Sequence, residues 1–148
     1  MLTYTVRATD SPSGGTGDKT VVITVTGTND VPVISLGTGD SAAAGISETN
    51  ATLTASDTLT ITDLDYSNTV AATVPTVTVV SGRTNNIANL LSMLTVSPAS
   101  PSKVIGSTAT TGTLTWTFSS GSQYFDYLEK DETLVLDYTV LVLSLIHI

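Results

Sequence analysis

The chain has 148 residues, 41% of them hydrophobic, which is room for one domain with a core and too little for two of ordinary size. A net charge of -8, from 13 acidic against 5 basic side chains, excludes a phosphate-reading surface, because nucleic acid is held by clustered Lys and Arg. With no cysteine there is no disulfide framework, thiolate metal site or Cys nucleophile, and a β-branched apolar set with 29 threonines predicts an all-β chain.

In chain order, Leu2–Thr9 alternates, with Leu2, Tyr4, Val6 and Ala8 on one face. Lys19–Thr26 does the same with Val21, Ile23 and Val25. The Gly/Pro/Ser-rich stretch Asp10–Asp18 between them makes this a hairpin. Gly27–Pro32 is polar, and Pro32 cannot sit in a central strand, so it reads as a linker. Val33–Leu36 opens a short strand and Gly37–Ser41 a loop. Thr52–Thr62 alternates, with an interruption at Ala55-Ser56-Asp57, and Asp63–Asn68 is an acidic loop. Thr73–Ser81 is a strand. Asn85–Leu94 is the one helix candidate, since Ile87, Leu90, Leu91 and Leu94 fall at helical spacing and Thr84 or Asn85 can cap it. Ser97–Ser107 is a loop and Thr111–Ser119 a strand carrying Leu114, Trp116 and Phe118 on one face. Asp126–Glu132 is an acidic corner, and Thr133–Leu143 the final strand. The expected core includes Val77, Val79, Ile87, Leu90, Leu114, Trp116 and Phe118. No stretch reaches the roughly 18 apolar residues of a membrane span, and Met1–Val6 lacks the basic and apolar regions of a signal peptide.

Leu2-Thr3-Tyr4-Thr5-Val6 returns as Leu136-Asp137-Tyr138-Thr139-Val140. An echo at that distance has the period of a whole domain, not of a solenoid rung. The chain is therefore expected to be a window cut out of phase from a tandem array. Residues 1–30 are the closing hairpin and linker of one unit, 31–143 a sandwich that stops before its last strand, and 144–148 an off-pattern tail. The hairpin is expected to belong to a neighbouring unit; the alternative is that it supplies the strand missing after Val140.

Several segments resemble the VCBS repeat family, the cadherin-like and Ig-like sandwiches strung in tandem along large bacterial surface proteins. They are Tyr4–Asp10, Val22–Ile34, Leu53–Asp65, Gly112–Phe118, and Phe125–Leu128 with Asp131–Leu134. The most specific is the linker Thr26-Gly27-Thr28-Asn29-Asp30-Val31-Pro32. The sequence departs from the family at Asp57 and Asp131, where Gly is usual, and in the loop 97–110. The resemblance implies an antiparallel Ig/cadherin-like sandwich of about seven strands per unit, with at most one short helix. It also implies an extracellular, cell-surface setting and neighbouring repeats of the same chain as partners.

Calcium takes about six to eight hard oxygens from carboxylates, amides and backbone carbonyls. Asn29 and Asp30 in the linker offer some of these, and Asp63 and Asp65, one residue apart in a loop, can turn both carboxylates to one side. Cadherin-like modules use a similar plan at a similar separation. Asp10, closing the first strand, is a further candidate from the preceding unit. A second set, Glu48, Asp126 and Glu129, resembles the far-end ligands that serve the next junction, with Leu128 as an extra residue. The plainer reading makes Asp30 and Asp63 ordinary turn residues and the overall acidity a matter of solubility.

Catalytic chemistry has little to work with. The single histidine, His147, lies in the off-pattern tail, and there is no nucleophile triad or phosphate loop, so the chain is expected not to be an enzyme. The expected function is a spacer repeat of a large adhesin, stiffened by calcium at its junctions. The rival is a module that itself contacts a cell-surface glycan or protein. Exposure of Trp116 separates them, since a glycan platform needs an exposed aromatic face and a core tryptophan does not.

Overall fold

The computed structural model describes residues 1–145. His147 lies outside them, as do the other residues after Leu145. The described residues are nearly all β, with eight strands in antiparallel sheets: β1 (Leu2–Thr9), β2 (Thr16–Ile23), β3 (Val33–Ser35), β4 (Thr54–Thr62), β5 (Thr69–Ser81), β6 (Leu94–Ser97), β7 (Thr111–Ser119) and β8 (Val135–Leu145). Strands β1 and β2 form a separate two-stranded hairpin, β3-β4-β7-β6 a four-stranded sheet, and β5-β8 a second two-stranded sheet. Among the described residues no helix is long and apolar enough to cross a membrane.

The larger sheet is built on the β4–β7 ladder, which pairs Thr54 with Ser119 and Thr62 with Thr111 without a break. Period-two alternation puts Leu59 opposite Leu114 and Ala55 opposite Phe118 on one face. That face meets the inner residues of β5 and β8. Leu59, Ile61, Leu114 and Trp116 share one buried cluster with Val70, Ala72 and Val96, and Val140 and Val142 pack on it. Two sheets closing on a common core make the body sandwich-like. Each fully buried aliphatic here contributes about 1.5–3 kcal/mol.

Ile61, Leu114, Val70 and Ile105 are the largest fully buried apolar side chains. Ile105 comes from the loop between β6 and β7. Its carbonyl accepts the Val70 N–H at 3.0 Å and the Val104 N–H bonds the Val70 carbonyl at 2.7 Å, so this loop is stitched to the start of β5. A smaller cluster of Leu53, Met93 and Phe125 closes the opposite end.

Four sequence expectations need correction. Asn85–Leu94 holds only a 3-10 turn at Leu90–Met93, because Asn85, Asn86 and Asn89 adopt left-handed backbone and an α-helix cannot run through such residues. Asp57 does not interrupt β4; it stands in the ladder opposite Trp116, its carboxylate accepting the Thr58 N–H at 2.7 Å. Val79 is 40% exposed although it pairs with Leu136 on the inner face, because it lies near the end of β5, away from the buried cluster around Val70 and Ala72. Ser144 and Leu145, assigned to the tail, pair with Val70 and Thr69 and so extend β8. Val77, Ile87, Leu90 and Phe118 are half-buried.

The hairpin pairs within itself, Leu2 with Ile23 through Thr9 with Thr16, and with no other strand among the described residues. Every residue of both its strands is exposed. Asp131, where Gly is usual in the family the sequence resembles, has φ +68°, a conformation Asp tolerates better than most residues and Gly adopts freely.

Candidate functional site

The β4–β7 ladder sets out the chemistry, because the acidic residues lie beyond its two ends. One end is the turn from β4 to β5. Asp63 follows the last residue of β4, and its N–H donates to the Thr110 carbonyl at 2.9 Å. The residue is 2% exposed. Its Oδ1 accepts the Asp65 N–H at 3.0 Å, an Asx-type turn that fixes the loop. Its Oδ2 is buried and has no hydrogen-bond partner among the described residues. Buried polar atoms are nearly always paired, and a charged one left alone is costly.

The linker comes to this loop. The Asp30 N–H donates to Asp65 Oδ2 at 2.7 Å. The side-chain amide of Asn68, itself buried, donates to Asn29 Oδ1 and to Asp65 Oδ2, both at 3.3 Å. The Asn29 amide in turn donates to the Asp30 carbonyl at 2.9 Å. Asn29, Asp30, Asp63 and Asp65 therefore form one bonded chain, with Asp30 entering through its backbone. Asn68 is the member that sequence reasoning did not single out. Its signal was its place as the last polar residue of the acidic loop, just before β5.

Asp10 is not among them. It sits in the turn of the hairpin, at the opposite end of the β1–β2 ladder from Ile23, where the chain leaves for the linker. Its bonds stay inside that turn: its N–H donates to the Gly15 carbonyl, its carbonyl accepts from Gly14, and its carboxylate accepts the Ser13 hydroxyl. A closing residue of β1 cannot double as a linker-side ligand when the ladder places it at the distal tip.

The second acidic set lies beyond Thr54 and Ser119, the other end of the same ladder. Nine paired positions separate the two sets by about 27 Å. Here Glu48 and Asp126 come together. The Glu48 carboxyl is held above its ordinary value by partial desolvation and by the Asp126 carboxyl beside it. Glu129 flanks the same cleft as Glu48, and its N–H donates to Glu132 Oε2 at 2.8 Å. Glu132 is neutralised by Arg83 at 2.6 Å, and these two contacts, the backbone one first, hold its carboxyl below the usual range.

The raised Glu48 value predicts a pH dependence. The folded state holds this proton more tightly than the unfolded chain. The resulting stability is fully present below the ordinary glutamate range and is lost as pH rises through the raised value. Relative to the wild type, Glu48→Gln should therefore gain stability between pH 4 and pH 7 in metal-free buffer. Urea midpoints of both proteins at the two pH values check this; a constant difference would mean that Glu48 and Asp126 do not interact.

Chemically, the linker end offers the carboxylates of Asp63 and Asp65 and the amide oxygens of Asn29 and Asn68. Among the described residues no three carboxylate or imidazole side chains gather as a ready-made cluster, so any cation held here relies on amide and backbone oxygens as well. That mixture suits calcium better than a transition metal, and the orphaned Asp63 Oδ2 is the atom it would satisfy.

Trp116 is core. It is 7% exposed, and its Nε1 donates to the Ser41 carbonyl at 2.7 Å. Tyr127 donates its hydroxyl to the Arg83 carbonyl at 2.8 Å, a backbone tie at the acidic corner. Tyr124 is 38% exposed.

The chain matches no family model, and no curated protein or solved structure is similar to it at a significant level.

Proposed function

We infer that the chain is a spacer repeat of a large extracellular adhesin of VCBS type, whose junctions are stiffened by calcium. The observation that carries this reading is the tie between linker and sandwich: Asp30 bonded to Asp65 beside a buried, unpartnered Asp63 oxygen. A cation at that point would pin the linker to the body that follows it. The second acidic set at the far end of the same ladder is where the next junction would fall.

Strand order supports the family reading. Taken in chain order, β3-β4-β7-β6 over β5-β8 corresponds to the A-B-E-D and C-F strands of a constant-type Ig sandwich, whose remaining strand, G, pairs beside F. By the echo, β1 and β2 are the F and G strands of the unit before. The burial of Trp116 favours a spacer over a glycan-contacting module, because it removes the one tryptophan from any aromatic platform.

Thermal and urea unfolding with calcium and with a chelator test the proposal, together with small-angle scattering of the chain in both buffers. At free calcium about ten times Kd, binding to the folded state alone adds about 1.4 kcal/mol. Sites of extracellular modules work at roughly 10⁻⁴ to 10⁻³ M, so millimolar calcium is the range to use. Asp65→Asn should remove most of the response. The proposal fails if the wild type unfolds at the same point and scatters identically in the two buffers.

A further inference from the structure

The outer face of the larger sheet carries a regular array of hydroxyls and methyls. In the β4–β7 ladder every second pair lies on the side away from the core, from Thr62 with Thr111 to Thr54 with Ser119. All ten of these positions are Thr or Ser, eight of them Thr. Strand β6 widens the array, with Thr95 beside Thr117 and Ser97 beside Thr115. The face is built wholly by strands within the body, and its residues are exposed or half-buried.

Threonine-rich composition does not by itself give such a face. The hairpin is also rich in threonine, yet its polar side is broken by Arg7 opposite Asp18, an ion pair at 2.8 Å. At the ten outward positions of β4 and β7 there is no charge. A carboxylate at the margin, Asp40, accepts the Thr58 hydroxyl and, at 2.7 Å, the Thr60 hydroxyl, which fixes the direction of both.

Residues at alternate positions of an antiparallel pair are all of one pairing kind, so the cross-strand distance repeats. The array has a period of about 6.8 Å along the strands and about 4.8 Å across them. Threonine is stiff at χ1, so each hydroxyl and methyl holds its direction. The two periods lie close to those of the oxygen lattice on a prism face of hexagonal ice. A hydroxyl both donates to and accepts from a lattice water, and a methyl fits the cage between waters. A twist of about 20–25° between neighbouring strands carries the end pairs off the common plane. The match is therefore closest at the middle pairs, Thr58 with Thr115 and Thr60 with Thr113.

Other occupants fit less well. The face has no aromatic ring for a sugar to stack on, since Trp116 and Phe118 alternate inward. It is a sheet surface, not the concave site a small ligand needs. Its length of about 27 Å and width of about 10 Å offer about 270 Å², far short of the roughly 800 Å² per partner of a stable protein interface. An ice front engulfs what it holds and has no such requirement. Charge points the same way: on a chain of net charge -8, an uncharged face suits a neutral occupant.

We propose that this face binds ice, the threonine array holding water molecules in the positions they occupy in the crystal. It uses neither calcium nor neighbouring repeats and stands apart from the spacer reading.

The full chain, in chelator, tests it by slow growth of ice on a cold probe in dilute protein solution. Protein in the melted ice is compared with protein left in the liquid; an ordinary solute is pushed ahead of the front. The wild type should be enriched in the ice, and ice crystals grown in its presence should become faceted. Thr113→Tyr raises a ring in the middle of the array while keeping a residue that suits a strand. It should be excluded from the ice with its urea midpoint close to that of the wild type, and Thr115→Lys, a second variant of the same region, should be excluded likewise. Thr5→Tyr, on the hairpin, should leave the enrichment intact. Exclusion of the wild type from ice overturns the proposal. So does enrichment of both array variants equal to the wild type, or its loss in Thr5→Tyr, since another surface would then be responsible. Retention on crystalline cellulose with exclusion from ice would give the face to a polysaccharide and overturn it as well.

Discussion

Trp116→Ala should lower the unfolding free energy by about 3–5 kcal/mol, the range for removing a large aromatic from a packed interior. The site has little means of relaxing to limit that loss. Trp116 shares its cluster with Leu59, Leu114 and Val96, drawn from β4, β7 and β6, and each neighbour is fixed by its own ladder. The indole also holds the segment after β3 by donating to the Ser41 carbonyl, so truncation removes a hydrogen bond as well as volume. Trp116→Phe separates the two contributions: it keeps much of the packing and loses the bond, which is worth about 1 kcal/mol. Urea unfolding of the two variants beside the wild type gives both values. A loss below about 1 kcal/mol for Trp116→Ala would place the ring at the surface and reopen the glycan-binding alternative.

Where the fold was legible, one physical rule sufficed. β1, β4 and β7 carry apolar and β-branched residues at alternate positions, and the structure forms strands there; β2 covers Thr16–Ile23 rather than the expected Lys19–Thr26, so Val25 lies beyond it. β5 carries Pro75 and two register irregularities, and a period-two reading has no means of locating a bulge. The segment Asn85–Leu94 misled for the opposite reason. Its apolar residues do fall at helical spacing, but the chain turns through three left-handed asparagines and sends them apart: Ile87 and Leu90 pack on the small end cluster, Leu94 on the main core, and Leu91 is exposed. Ile105 was invisible in a Pro/Ser/Gly loop, because its burial depends on bonds to Val70 across the structure.

The candidate site divides the same way. Asp63, Asp65 and Asn29 were legible from residue type and loop position. That Asp30 would act through its N–H, that Asn68 would join the two segments, and that Asp10 would lie at the far tip of its hairpin are matters of register and backbone direction. Sequence chemistry alone does not carry that information.

Asp63→Asn should change the order of stabilities between two buffers. In chelator the wild type keeps a buried carboxylate oxygen with no partner. The variant keeps the Oδ1 that accepts the Asp65 N–H but carries no charge. Leaving a buried polar group unsatisfied costs about 1–3 kcal/mol, more when it is charged. The amide still brings an unpaired N–H, so the gain from neutralising Asp63 should be toward the lower bound, about 1 kcal/mol. In calcium the same oxygen becomes a ligand. The wild type then gains about 1.4 kcal/mol at ten times Kd and about 2.7 kcal/mol at a hundred times, while the variant gains little. The variant should thus be the more stable protein in chelator and the less stable one in saturating calcium, a swing of about 2–3 kcal/mol on urea unfolding. A structural carboxylate predicts something else: Asp63→Asn would then be less stable in both buffers by the same amount. An aspartate that merely caps a turn would lose nothing, since asparagine serves that role as well. Only a site in which the carboxylate is destabilising alone and stabilising with its cation gives opposite signs, so the sign in chelator, read first, decides whether the calcium titration has a site to report on.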